Sequence, residues 1–193
     1  ALAHNLPTTW DGTYSLFFVV QQIEPPSGGN MGKNHSYFAN GTLNDHDDQF
    51  QVGCRTSGGC SATDRDIAIS QQGEGALFFG VNTAGSDQTR IYTIRHDDTS
   101  SSDKTTTYID GVVTAFTSSP SQTKFTRYLI GLNRNASKWN DFRLAELVLY
   151  DRALDNCELR DIHEYLATKY GISSETAGYA VGRLSWEQLF PSQ

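Results

Sequence analysis

The chain has 193 residues, a formal charge of −7 and a pI near 5.1, with 37% hydrophobic and only 19% charged residues. Three Trp, nine Tyr and ten Phe supply enough apolar surface for a substantial core, so the composition is not that of a disordered chain. The acidic balance, without a Lys/Arg cluster, argues against a nucleic-acid backbone or an anionic membrane as the main partner and leaves a neutral ligand as the better fit.

No Pro/Gly/Ser linker separates two hydrophobic halves, so residues 1–193 read as one domain with a core over 13–172 and a C-terminal extension over 173–193. No apolar run reaches the length of a membrane span, and the opening ALAHNLPTTW lacks a charged-then-apolar signal layout. The expectation is a soluble chain without membrane insertion, whose signal has been removed or lies outside the sequence.

The first strand signal covers 13–22. Tyr14, Leu16, Phe18 and Val20 alternate with Phe17 and Val19, so both faces are apolar and something must cover the outer one. Residues 24–48 follow as a polar loop holding Pro25-Pro26 and Gly28-Gly29. Inside it lie Tyr37 and Phe38, His35 and His46, and the oxygen-rich run Asn44-Asp-His-Asp-Asp48. Asn34-His-Ser36, Asn40-Gly-Thr42 and Asn135-Ala-Ser137 match the glycosylation acceptor, at a frequency that so Ser/Thr-rich a chain produces by chance.

Short strands are predicted at 50–54, 66–70, 76–82, 90–95, 106–109, 112–116, 128–132 and 143–150, each bounded by Gly, Asn, Asp or Ser. Many short strands at this spacing give an all-β fold, a sandwich or jelly roll. Cys54 and Cys60 flank a flexible loop, Arg55-Thr-Ser-Gly-Gly59, that can let them close a local disulfide in a secreted setting, against two free thiols in a reducing one. A second polar loop spans 97–104.

Asp110-Gly111 is the strongest short signal for a two-residue hairpin, because both turn positions want a positive φ; a turn suffices to explain Asp110. One helix is predicted, Asn156 to Tyr170, with Asp155 as N-cap, Glu158 three residues later and Gly171 ending it. Leu159, Ile162, Leu166 and Tyr170 form its apolar stripe, which is expected to cover the outer face of the first strand. Cys157, in its first turn, reads as a plain packed cysteine.

Tyr108-Ile-Asp-Gly-Val-Val113, Tyr128-Leu-Ile-Gly131, Leu144-Ala-Glu-Leu-Val-Leu-Tyr-Asp-Arg-Ala-Leu154 and the helix ending Tyr165-Leu-Ala-Thr-Lys-Tyr-Gly171 together resemble a laminin-G-like, concanavalin A-like jelly-roll domain. The resemblance covers about 13–172 in order of elements and is specific after Thr107. It implies a two-sheet antiparallel jelly-roll sandwich with the C-terminal helix packed on the outside, and makes these motif residues scaffold. It also implies an additional strand ahead of Thr13, which residues 1–9 supply in short form or the sequence omits. The extension 173–193 can fill that position or act as an arm in a homo-oligomer.

Glycoside hydrolases on such a sandwich use two carboxylates across one face, often as Glu-x-Asp-x-Glu along a strand. That signature is absent; Asp64-Arg-Asp66 alternates but stands at a loop-strand junction without a third acid, and Glu146 reads as a hydrogen-bonded structural carboxylate. Calcium is the cofactor the resemblance implies, with Asp45, Asp47, Asp48 and Asp97 as candidate ligands.

Sugar recognition asks for aromatic faces beside planar polar groups. The insert 133–141 has that composition: Trp139 stands among Asn133, Arg134, Asn135, Asn140 and Asp141. Trp139 is either an exposed stacking platform or a plug that pins the loop to the core, and Tyr37 and Phe38 are the next candidates. The expected function is non-catalytic extracellular recognition or adhesion at a secreted or cell-surface location, with a glycan or cell-surface protein as partner. The alternatives are a glycan-degrading hydrolase or lyase and a structural, oligomer-forming domain.

Overall fold

The computed structural model describes residues 2–11, 13–22, 35–40, 49–53, 66–70, 76–80, 88–100, 104–117, 124–130 and 142–172. These form mostly antiparallel β-structure and one helix. In chain order the strands are β1 (Leu2–Asp11), β2 (Tyr14–Gln22), β3 (His35–Asn40), β4 (Gln49–Gly53), β5 (Asp66–Ser70) and β6 (Ala76–Gly80). Then come β7 (Thr89–His96), β8 (Thr105–Ile109), β9 (Val112–Thr117), β10 (Lys124–Ile130), β11 (Phe142–Tyr150) and the helix α1 (Asn156–Tyr170).

Hydrogen bonding groups them into a six-stranded sheet, order β1-β10-β3-β4-β5-β6, and a five-stranded sheet, order β11-β2-β7-β8-β9. Residues 2–11 thus make a full strand, paired with β10 rather than with the last strand. Its register shifts between Asn5 and Trp10, a stretch that contains Pro7; proline has no ladder donor and is tolerated on an edge strand such as this. An unforeseen strand, β3, lies where the sequence reads as polar loop. Its pairing with β10 and β4 outweighs the weak local propensity of His-Ser-Tyr-Phe-Ala-Asn.

The five-stranded sheet carries the described core, and β2 is apolar on both faces as its alternation requires. Tyr14, Leu16, Phe18 and Val20 join Tyr92 and Ile94 of β7 on one side, where Ile130 of the six-stranded sheet packs against them. β6 of that sheet also approaches β8 and β9. On the other side Phe17 and Val19 meet Ile91, Tyr108, Leu154, Leu159, Leu166 and Ala167, so α1 covers the face that the sequence left apolar. Burying Leu159 and Leu166 completely stabilises this docking by about 2 kcal/mol each.

Strand β11 has to solve a parity problem, because Leu144 and Leu147 are an odd number of residues apart yet both pack against the cluster that holds Tyr14, Leu16, Phe18 and Val20. A register shift between Leu144 and Glu146 leaves Ala145 as the extra residue. That bulge changes the phase of the strand. It returns Leu144 to the core side and leaves Glu146 on the helix side with Val148 and Tyr150.

The helix starts and stops on the predicted residues. The Asp155 carboxylate accepts from the Cys157 and Glu158 N–H groups at 2.8 and 2.9 Å, and Glu158 accepts from the Asp155 N–H at 3.0 Å, closing a capping box. Arg152 holds the same Glu158 through both guanidinium Nη atoms, at 2.6 and 2.5 Å, and keeps its carboxyl down to about 2. Gly171, at φ 63° and ψ 28°, ends the helix in the left-handed conformation, and the Ile172 N–H donates to Ala167 O at 2.9 Å. Ahead of the helix, buried Leu154 donates its N–H to Ser15 Oγ at 2.9 Å and accepts from Arg95 Nε at 2.8 Å. The connection is therefore pinned to both β2 and β7.

Candidate functional site

An open cleft of about 800 Å³ lies where the β8–β9 hairpin, the start of β7 and the C-terminal end of α1 meet. The hairpin forms because Asp110 and Gly111 both take positive φ, 50° and 87°, as the two-residue turn demands. Asp110 does more than turn the chain. Its N–H donates to Ile91 O at 2.8 Å, and its Oδ1 accepts from the Ile91 N–H at 2.8 Å. The side chain thus extends the β7–β8 ladder by one acceptor and is fixed by it.

The other Asp110 oxygen, Oδ2, accepts from Arg90 Nη1 at 2.5 Å. The Arg90 side chain is 38% exposed and that of Asp110 only 12%, so the pair bridges interior and cleft. Arg90 Nη2 donates to Gln88 Oε1 at 2.7 Å, while Arg90 Nε is buried and finds no partner among the described residues. Gln88, Arg90 and Asp110 therefore form a row of three planar polar groups along one wall.

Thr89 and Thr114 add hydroxyls to the lining, and Val112, 40% exposed, adds apolar surface beside Ile109 and Ile172. Tyr170, at the C-terminal end of α1, adds an aromatic residue to the lining. Its phenol donates to Glu146 Oε2 at 2.8 Å, and Lys169 Nζ donates to the same oxygen at 3.0 Å. Those two bonds, Lys169 first, hold the Glu146 carboxyl below its ordinary value, and the carboxylate in turn raises the Tyr170 phenol. Lys169 Nζ also lies 5.3 Å from the ring centroid of Tyr165 and 5.4 Å from that of Tyr170, favourable distances for a cation over an aromatic face. Glu146 serves here as the anchor of Tyr170.

A second polar cluster stands at the far end of β7, and it is closed. The Asp97 carboxylate accepts from the Thr99 N–H at 3.0 Å and the Thr99 hydroxyl at 2.6 Å through Oδ1, and from Arg95 Nη2 at 2.8 Å through Oδ2. The Thr99 hydroxyl, ahead of Arg95, pulls its carboxyl below the usual range. Fully buried His96 has both ring nitrogens engaged, Nδ1 with Thr105 Oγ1 and Nε2 with Asp98 Oδ1, each at 2.8 Å. Burial pushes it below the ordinary imidazole value against the opposing pull of Asp98. Calcium needs several converging oxygens with spare lone pairs. Asp97 fits that need poorly, since Oδ1 already accepts twice from Thr99 and a guanidinium sits beside Oδ2.

Of the other residues singled out from sequence, Asn133, Arg134, Asn135, Trp139, Asn140 and Asp141 lie outside the described residues, as do Asp45, Asp47 and Asp48, and both Cys54 and Cys60. Tyr37 and Phe38 belong to strand β3 rather than to a loop, with Phe38 opposite Phe50 and Ile130, and Tyr37 at the register irregularity facing β4. Cys157 is a free thiol and exposed rather than packed. Sequence reasoning missed Gln88, Arg90, Thr114 and the larger part of Asp110. The one local signal was Asp110 itself, an aspartate where asparagine would make an equally good turn.

No protein-family model matches the chain, and its sequence matches none of the curated proteins. Its fold does have solved counterparts. A heptameric SAP-like pentraxin from Limulus polyphemus aligns with a TM-score of 0.59 at 9% identity, over 83% of this chain and 74% of that one. Domain 4 of an extracellular arabinanase from Geobacillus stearothermophilus, in complex with arabinotriose, gives 0.51 at 15% identity over 79% of this chain and 67% of that one. A botulinum neurotoxin type C structure, described as depending on two ganglioside molecules for cell entry, gives 0.53 at 11% identity over 80% of this chain. The chain spans 36% of that toxin chain. Identities this low show a shared all-β fold and carry no activity with them.

Proposed function

We propose that this chain is a non-catalytic glycan-recognition module acting outside the cell, a two-sheet jelly-roll sandwich of the laminin-G-like, concanavalin A-like kind whose ligand sits in the cleft between the Asp110 hairpin and the end of α1. The observation that carries the reading is that the hydrogen-bonded row Gln88, Arg90 and Asp110 lines one cleft together with the aromatic Tyr170. A sugar presents hydroxyls that pair with planar polar groups and C–H faces that lie on aromatic or aliphatic surface, and the cleft offers both. The arabinotriose counterpart supports the class of ligand by fold analogy alone.

The binding reading is preferred to the hydrolytic one because Asp110 is the one carboxylate among the described lining residues, and each of its oxygens already holds a donor. Glycoside hydrolysis needs a pair of acids on either side of the bond. The insert around Trp139 remains part of the proposal as a second contact for a longer glycan.

A glycan array probed with wild type, Arg90→Ala and Trp139→Ala tests it. Binding that falls about tenfold or more on Arg90→Ala supports the cleft as the site. No binding to any glycan by the wild type, or affinity indifferent to Arg90, overturns it. Release of reducing sugar from mixed polysaccharides would overturn the non-catalytic part.

A further inference from the structure

We infer that the cleft selects neutral sugars and turns away acidic ones, an inference that rests on the glycan reading above. Among the described lining residues Arg90 is the one cation and Asp110 the one anion, and they neutralise each other across 2.5 Å. The wall is therefore strongly dipolar without being charged.

An incoming carboxylate gains little. One hydrogen of Nη1 is already given to the Asp110 oxygen and one of Nη2 to the Gln88 amide oxygen, so the two-pronged contact that guanidinium groups make with carboxylates would have to form beside Asp110. Asp110 cannot leave at small cost, because its other oxygen completes the Ile91 ladder bond at 2.8 Å and its φ is fixed by the hairpin. A ligand carboxylate that settles next to it faces a like charge at close range. The formal charge of −7 on the chain opposes the approach of an acidic glycan as well.

A hydroxyl meets none of these obstacles. It can accept from the second hydrogen of either Arg90 Nη, donate to the remaining lone pairs of Asp110, and accept from the Gln88 amide nitrogen, whose oxygen is the atom used by Arg90. Adjacent hydroxyls on one sugar ring match the spacing of adjacent donors and acceptors along such a wall. Val112 and Tyr170 can take the C–H face of the same ring.

The test is calorimetric titration of wild type and Asp110→Asn with matched pairs of oligosaccharides, one neutral and one bearing a sialic or uronic acid. The wild type is expected to bind the neutral member about tenfold tighter or more, which is the size of one unpaired charge contact in a half-exposed site. In Asp110→Asn the turn is kept, since asparagine favours the same positive φ, and the amide oxygen still accepts from Ile91. The freed Arg90 charge should narrow or invert the preference. Equal or tighter binding of the acidic member by the wild type overturns the inference, as does an unchanged ratio in a folded Asp110→Asn. If the variant fails to fold, the wild-type ratio alone supports or overturns the inference. Binding of acidic glycans that Arg90→Ala abolishes would overturn the selectivity and leave the glycan reading standing, whereas absence of all glycan binding removes both.

Discussion

The two ends of strand β7 are built from the same parts and do different things. At each end an arginine meets an aspartate, Arg90 with Asp110 at 2.5 Å and Arg95 with Asp97 at 2.8 Å. At the far end the loop wraps the carboxylate, with Asp97 held by Thr99 and Arg95 donating its Nε to Leu154 O. At the near end the pair borders a cleft. Each arginine donates from two of its nitrogens to the described residues, so what separates the two ends is the open space beside Arg90 and Asp110.

The largest effect is expected midway along the strand, where β7 passes under the helix. Thr93 Oγ1 pairs with His163 Nε2 at 2.8 Å, and His163 packs against the rings of Phe17 and Tyr108 with its Nδ1 unpartnered among the described residues. Burial lowers its pKa from 6.5 to about 4. Above pH 6.5 the residue is neutral in both folded and unfolded chains and pH has no effect through it. As pH falls from 6.5 to 4 only the unfolded chain takes up the proton, so stability is lost progressively, by about 3 kcal/mol in all. Denaturant titrations of wild type and His163→Leu across that window should differ by this slope; parallel curves would show that the imidazole is not held neutral.

Arg95→Ala comes next. It leaves the buried Leu154 carbonyl and the Asp97 carboxylate short of a donor, which should cost about 2 kcal/mol in urea denaturation. Glycan affinity should be unchanged, and a change would erase the distinction between the two ends. Arg90→Ala should do the reverse. With the side chain half in solvent, stability falls by about 1 kcal/mol, while titration with the array's best glycan shows the loss of binding. The smallest effect belongs to Arg152→Ala. Its pair with Glu158 is exposed at the surface, and a thermal melt should show no measurable shift.

The Asp110 hairpin shows how far the sequence could be read. Asp-Gly gave the turn, since both φ values depend on those two residues alone. It could not reveal that Asp110 reaches Ile91 and Arg90, 19 and 20 residues earlier, because that contact depends on β8 pairing with β7. Helix α1 divides in the same way. Its cap, stop and apolar stripe were legible, whereas no local signal marks His163 for burial, because its partner Thr93 lies 70 residues away. The candidate loops around Trp139 and Asp45 lie outside the described residues.

By itself the sequence determined an all-β chain, the two-faced strand β2, the hairpin turn and the one capped helix. Each of these follows from forces acting within a few residues: side-chain alternation, the φ preference of Asp-Gly and the orphan donors of a helix end. The tertiary structure alone decided that β1 pairs with β10, that β3 exists, that Ala145 bulges so that Leu144 and Leu147 share a face, and that Gln88, Arg90, Asp110 and Tyr170 border one cleft. These depend on which strands become neighbours and in what register, a matter of long-range burial that no local stretch of chain encodes.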